Sequence, residues 1–175
     1  IVSYNAALRL NPNQPDAHNN LGIAHMEQGN LTAAIASYKT ALKLKPNYPE
    51  VHNNLGNALK EQSDLTAAIA SFNTALQLNP HQLDAYYNLG NTFKEKGDFD
   101  AAIATHERAL ELDPRNSNVF LGIGLVQAAK GDLEESVRSL HKSIEFNPSN
   151  TAALFELSKN IRSRDDSEEL AKKLH

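Results

Sequence analysis

The sequence predicts an all-helical protein built from one repeated pair of helices, and three observations carry that expectation. Pro12, Pro46, Pro80, Pro114 and Pro148 stand 34 residues apart, and Gly22, Gly56, Gly90 and Gly124 keep the same step. A fixed period of this length marks a repeat architecture. Within a period the apolar residues recur at helical spacing, as Val51, Leu55, Ala58 and Leu59, and then as Leu65, Ala68, Ile69, Phe72, Ala75 and Leu76. Between the two stripes lies a stop and a start. Gly29, Gly97 and Gly131 can take the left-handed conformation that ends a helix, while Asn30, Asp64, Asp98 and Asp132 can cap the next one. Ser63 occupies the corresponding glycine position, so its turn should be slightly strained or locally altered.

The elements follow in order. Residues 1–14 read as the second helix of a truncated repeat, in which Val2, Tyr4, Ala7 and Leu8 have no first helix to pack on. Four complete units follow, 15–48, 49–82, 83–116 and 117–150. Pro15 and Pro49 suit the first turn of a first helix, and the recurring proline ends each second helix. Glycine at the eighth position of a unit and alanine at the twentieth let its two helices touch, and alanine at the twenty-seventh receives the next unit. The fourth unit departs most, with Ser136 and Ser143 at small positions and Gln127 at an aromatic one. Residues 151–175 read as a degenerate fifth repeat and a capping helix, because Ser158 and Asp165 match poorly. There Asp165, Asp166, Glu168 and Glu169 suit the first turn of a helix over 166–174.

Composition excludes several functional classes. The chain of 175 residues has no cysteine, which removes disulfides, thiolate metal sites and a cysteine nucleophile. No run approaches the roughly 18 apolar residues that span a bilayer. With 17 Lys+Arg against 21 Asp+Glu the net charge is −4, which argues against nucleic-acid binding. The start, Ile1-Val2-Ser3-Tyr4, is neither a signal peptide nor an initiating Met, so a fragment or processed piece is expected, with the cytoplasm as default compartment. The histidines do not suggest chemistry. His18 and His52 take a large core position, and His25 and His106 aromatic positions, as packing residues; His18 and His25 are about 10 Å apart along a helix, too far to share a metal. No HExxH, GxSxG or P-loop occurs, and Gly122-Ile123-Gly124 lies within a helix. No catalytic residue, metal or cofactor is expected.

The pattern His18-x2-Leu21-Gly22-x2-His25 with Ala34-x3-Tyr38, Ala41 and Pro46 resembles the tetratricopeptide repeat, and the later units repeat it from Tyr86, Leu89, Gly90 and Phe93 and from Phe120, Ile123 and Gly124. The resemblance implies an α-solenoid of antiparallel helix pairs in a right-handed superhelix, with the first helices lining a concave groove that binds proteins or peptides.

Spacing identifies the stripe that the resemblance turns toward this groove. Positions i, i+4, i+7 and i+11 of a first helix share one face. They read Asp16, Asn20, Ile23, Glu27, then Glu50, Asn54, Asn57, Glu61, then Asp84, Asn88, Asn91, Glu95; the fourth unit breaks off with Asn118, Gly122, Leu125, Ala129. Asn20, Asn54 and Asn88 form a ladder, supplemented by Asn57 and Asn91. An amide offers a donor and an acceptor, which suits a peptide backbone and equally suits a bond to a neighbouring helix. The ladder is similar to the asparagine array in the repeats of O-linked N-acetylglucosamine transferase. Lys60 and Lys94 flank it, and Tyr87, Leu121 and Leu125, with Ala128 and Ala129, offer an apolar anchor, the alternative being that the fifth unit buries this patch. The Lys and Asn clamp of chaperone-binding repeats is absent, and the stripe is acidic, so the expected ligand is a basic or neutral peptide or protein with an apolar anchor. The expected function is therefore a protein-interaction scaffold. Two alternatives are the substrate-presenting arm of a larger glycosyltransferase or sulfotransferase, and a module that self-associates through its open N-terminal half-repeat.

Overall fold

The computed structural model describes residues 1–174, without the side chains of 3, 5 and 163–174. The described residues form ten helices and no strand: α1 (Val2–Leu10), α2 (Pro15–Glu27), α3 (Leu31–Leu44), α4 (Pro49–Glu61), α5 (Leu65–Leu78), α6 (Leu83–Lys96), α7 (Phe99–Leu112), α8 (Ser117–Lys130), α9 (Leu133–Phe146) and α10 (Thr151–Leu174). They fall into two compact units, Ile1–Thr92 and Phe93–His175, divided within α6.

In the first unit each helix packs on its sequence neighbour, α1 on α2, α2 on α3, α3 on α4 and α4 on α5, and α2 also touches α4. The short α2–α3 and α4–α5 links force antiparallel pairing. Pro15 and Pro49 begin α2 and α4, where their missing N–H is no loss. A methyl group added at Gly22 or Gly56 would lie within 2.5 Å of the Tyr38 ring or 2.6 Å of the Phe72 ring, so the glycine is the socket for the aromatic of the second helix. Tyr38 and Phe72 are accordingly buried. His18 and His52 are half-buried rather than fully in the core, and each bonds through Nε2 to a preceding carbonyl, Pro12 and Pro46, at 2.9 Å. A carbonyl only accepts, so Nε2 carries the proton in both.

The second helices of the four units follow the capping logic with one exception. Asn30, Asp64 and Asp98 accept from the amides of Ala33, Ala67 and Ala101 at 3.2, 3.0 and 3.2 Å. Asp132 makes no such cap, and its Oδ2 lies 4.0 Å from Lys130 Nζ instead. Gly29, Gly97 and Gly131 have φ of 71°, 83° and 95°, and Ser63 is forced to 66°. The left-handed region costs an L-residue roughly 1–2 kcal/mol. Ser63→Gly is expected to stabilise the first unit by about 1 kcal/mol, because the relief exceeds the added flexibility of the unfolded chain. A urea titration that leaves the midpoint unmoved or lowers it would contradict the strain.

In the second unit α7 packs on α8, α8 on α9, and α10 on both α9 and α8. Its core holds His106, Val119, Val126 and Leu140. The two serines that depart from the repeat pattern are hydrogen-bonded throughout. Ser136 Oγ donates to Gly124 O at 2.6 Å and accepts from Asn160 Nδ2 at 2.7 Å. Ser143 Oγ donates to Ser117 O at 2.8 Å, and Asn150 Nδ2 reaches Ser117 Oγ and Ser143 Oγ at 3.0 and 3.2 Å. This polar seam holds α10 on the unit, and its satisfied groups avoid the cost of buried unmet polarity. α10 is continuous from Thr151 to Leu174, so Asp165, Asp166, Glu168 and Glu169 occupy its interior rather than a first turn. Side-chain packing of the expected capping helix, residues 166–174, lies outside the described residues.

Candidate peptide-binding site

Three first helices meet in the N-terminal unit and place the asparagines in register. Asn54 Nδ2 on α4 donates to Asn19 Oδ1 on α2 at 3.1 Å, and Asn88 Nδ2 on α6 donates to Asn53 Oδ1 on α4 at 3.2 Å. The two bonds are the same bond one repeat apart. Asn19 and Asn53, which the helical spacing places beside the stripe, are buried acceptors that set the rotamers of Asn54 and Asn88. Each ladder amide uses one N–H this way, and its second N–H and Oδ1 bond to no described residue. Asn20 is exposed, while Asn54, Asn57, Asn88, Asn91, Tyr87 and Lys60 are half-buried. The acidic stripe is tied down at one end, where Tyr48 donates to Asp16 Oδ1 at 2.7 Å under the ammonium of Lys45, 3.8 Å from the ring centre. That bond to Asp16, and then burial, push the Tyr48 phenol up to about 12.

An open cavity of about 210 Å³ lies beside Asn54 and Asn57, lined also by Ile23, Met26, Glu27 and Tyr38. A second, of about 140 Å³, is lined by Tyr4, Asn20, Ile23, Ala24 and Glu27. Tyr38 had only a packing role in the sequence pattern, and no spacing rule distinguishes a tyrosine there from the Phe72 that follows it.

The second unit contains the other expected residues. Lys94 is half-buried on α6. Leu121 is 8% exposed in a cluster with Leu140 and Ala153, on which Leu125, Ile144 and Leu157 pack. The expected apolar anchor is thus corrected at Leu121, which is core: α9 and α10 cover the face that the helical spacing left open. Gly122 occupies the register of Asn54 and Asn88, and its missing side chain leaves room for His106, whose ring would be 2.9 Å from an added methyl. Among the described residues no group of three or more His, Asp or Glu side chains could hold a metal.

Models of the TPR repeat match residues 1–29, 24–63 and 56–97, and a model of the tetratricopeptide repeat matches 83–116. The chain belongs to the tetratricopeptide repeat family. Among solved structures this TPR chain is similar to MamA, with 30% identity and a TM-score of 0.78 over 85% of this chain and 86% of that one. It is also similar to a chain in the APC/C hetero-tetramer Cut9-Hcn1, with 28% identity and a TM-score of 0.79 over 91% of this chain and 32% of that one. A third structure, MamA from residue 41 to its end from Desulfovibrio magneticus RS-1, is 20% identical with a TM-score of 0.77 over 90% and 89%, a likeness of fold alone. No curated protein matches the sequence. The TPR chain is a protein–protein interaction scaffold. No described helix is long and apolar enough to cross a membrane.

Proposed function

We propose that the first helices of the N-terminal unit, α2, α4 and α6, bind an extended peptide segment of a partner protein by its backbone. The observation that supports this reading is the pair of inter-helix amide bonds. They fix Asn54 and Asn88 one repeat apart and leave a donor and an acceptor on each for a ligand. A preorganised amide loses less rotamer freedom on binding than a mobile one. Asn20, Asn57 and Asn91 extend the ladder, Tyr87 and Lys60 flank it, and Asp16, Glu27, Glu50, Glu61 and Asp84 give it an acidic field that favours basic or neutral segments. In the second unit Lys94 and the half-buried Leu125 remain the surface candidates.

Replacing Asn54 and Asn88 together by Ala tests the reading. Each lost backbone bond contributes a net ~0.5–1.5 kcal/mol, so with one bond lost at each position a peptide selected on the wild-type chain should bind about 5- to 150-fold more weakly. Titration calorimetry on variants with unchanged helix content measures this. Unchanged affinity would place the binding surface elsewhere.

A further inference from the structure

The 210 Å³ cavity has a composition that selects its guest. Ile23, 37% exposed, and Met26 make apolar walls, and Asn54 and Asn57 contribute amides. Tyr38, 2% exposed, lines it as well, and its hydroxyl makes no hydrogen bond to any described residue. Burial first, and the charge of Glu27 second, push this phenol up to about 12, so it stays a neutral donor and acceptor. Glu27 is the last residue of α2, where a carboxylate opposes the helix dipole, and no described cation pairs with it. It also lines the neighbouring 140 Å³ cavity, and no Lys, Arg or His lines either one.

We propose that this cavity is a subsite for one basic side chain, lysine or arginine, of the bound peptide. The aliphatic stem lies along Ile23 and Met26 while the cationic head reaches Glu27 and the hydroxyl of Tyr38. An apolar guest would cover the same walls but leave the hydroxyl and amides unmet, and an anionic one would face Glu27. The preference belongs to one place along the ligand. In the next repeat Glu61 is again the last residue of its helix, but Phe72 replaces the tyrosine and offers no hydroxyl.

The inference rests on the groove reading above, and the test separates the two. Dodecapeptides selected from a random display library on the whole chain are resynthesised with the basic residue replaced by norleucine. Met26 is the single methionine of the chain, so its methyl signal in an NMR spectrum reports directly from the cavity wall. Selected peptides should carry Lys or Arg at a fixed place and shift the Met26 methyl. Norleucine should weaken binding about 10-fold on the wild type but less than about 2-fold on Glu27→Gln. Tyr38→Phe should weaken the basic peptide and leave the norleucine peptide unchanged. If Asn54→Ala with Asn88→Ala weakens binding as expected above, yet norleucine costs the same on wild type and Glu27→Gln, the subsite is wrong and the groove stands. Peptides that move neither Met26 nor respond to the asparagines overturn both.

Discussion

Phe72→Ala is expected to destabilise the first unit by about 3–5 kcal/mol, the usual cost of deleting a fully buried aromatic side chain. Phe72 is entirely buried and its ring fills the space that Gly56 leaves open, with atoms 2.6–2.8 Å from where a glycine methyl would stand. The converse change, Gly56→Ala, forces that methyl into the ring and should cost roughly 1–3 kcal/mol by overpacking. Combined, the two should cost at least about 1 kcal/mol less than the sum, since the new methyl occupies part of the cavity. Repeats interact through their neighbours, so helices α8 to α10 should keep their stability. Hydrogen exchange resolved by segment, beside urea titration, checks both statements. Strict additivity, or equal loss along the whole chain, would contradict the socket.

The second large effect comes from acid. His106 is fully buried in the register of Tyr38 and Phe72, and burial first, then the charge of Lys94, lower it from 6.5 to about 4. The folded chain therefore holds a neutral imidazole where the unfolded chain would take a proton. Stability from this group is complete above pH 6.5 and is lost as pH falls toward 4, by about 3 kcal/mol in all. His106→Phe removes the linkage. The stability difference between variant and wild type should shift by that amount in favour of phenylalanine between pH 7 and pH 4, read from denaturant midpoints. A pH-independent difference would mean that His106 binds its proton as readily in the fold as in the unfolded chain, and would contradict the buried neutral imidazole.

Periodic features were legible in the sequence because they are local and repeat. The proline register, the left-handed glycines and the strained Ser63 follow from backbone sterics at single positions, and three of four caps follow from one side chain and one amide. Asp132 makes no cap bond, and nothing in the sequence sets it apart from the three residues that do. Leu121 was misplaced for a different reason. Helical spacing gives a direction around one helix, while burial depends on the helices that lie against it, and α9 with α10 covers that face. The serines at 136 and 143 look like drift until Asn160, Asn150 and Ser117 are seen to satisfy them. For the site, spacing picked out Asn54 and Asn88 and placed Asn19 and Asn53 beside them, but the role of the latter pair as acceptors exists only across two helices. The hydroxyl of Tyr38 was hidden in the same way, by a register position that usually means core.

The most direct measurement is the side-chain amide spectrum of the nitrogen-15-labelled chain, with Asn54 and Asn88 assigned by substitution, during titration with a selected peptide. Binding by the ladder should shift both amide pairs in step with saturation, those of Asn57 and Asn91 beside them, and leave Asn118 in the second unit unmoved. A peptide that saturates the chain while the Asn54 and Asn88 amides stay where they were would contradict backbone recognition by the ladder.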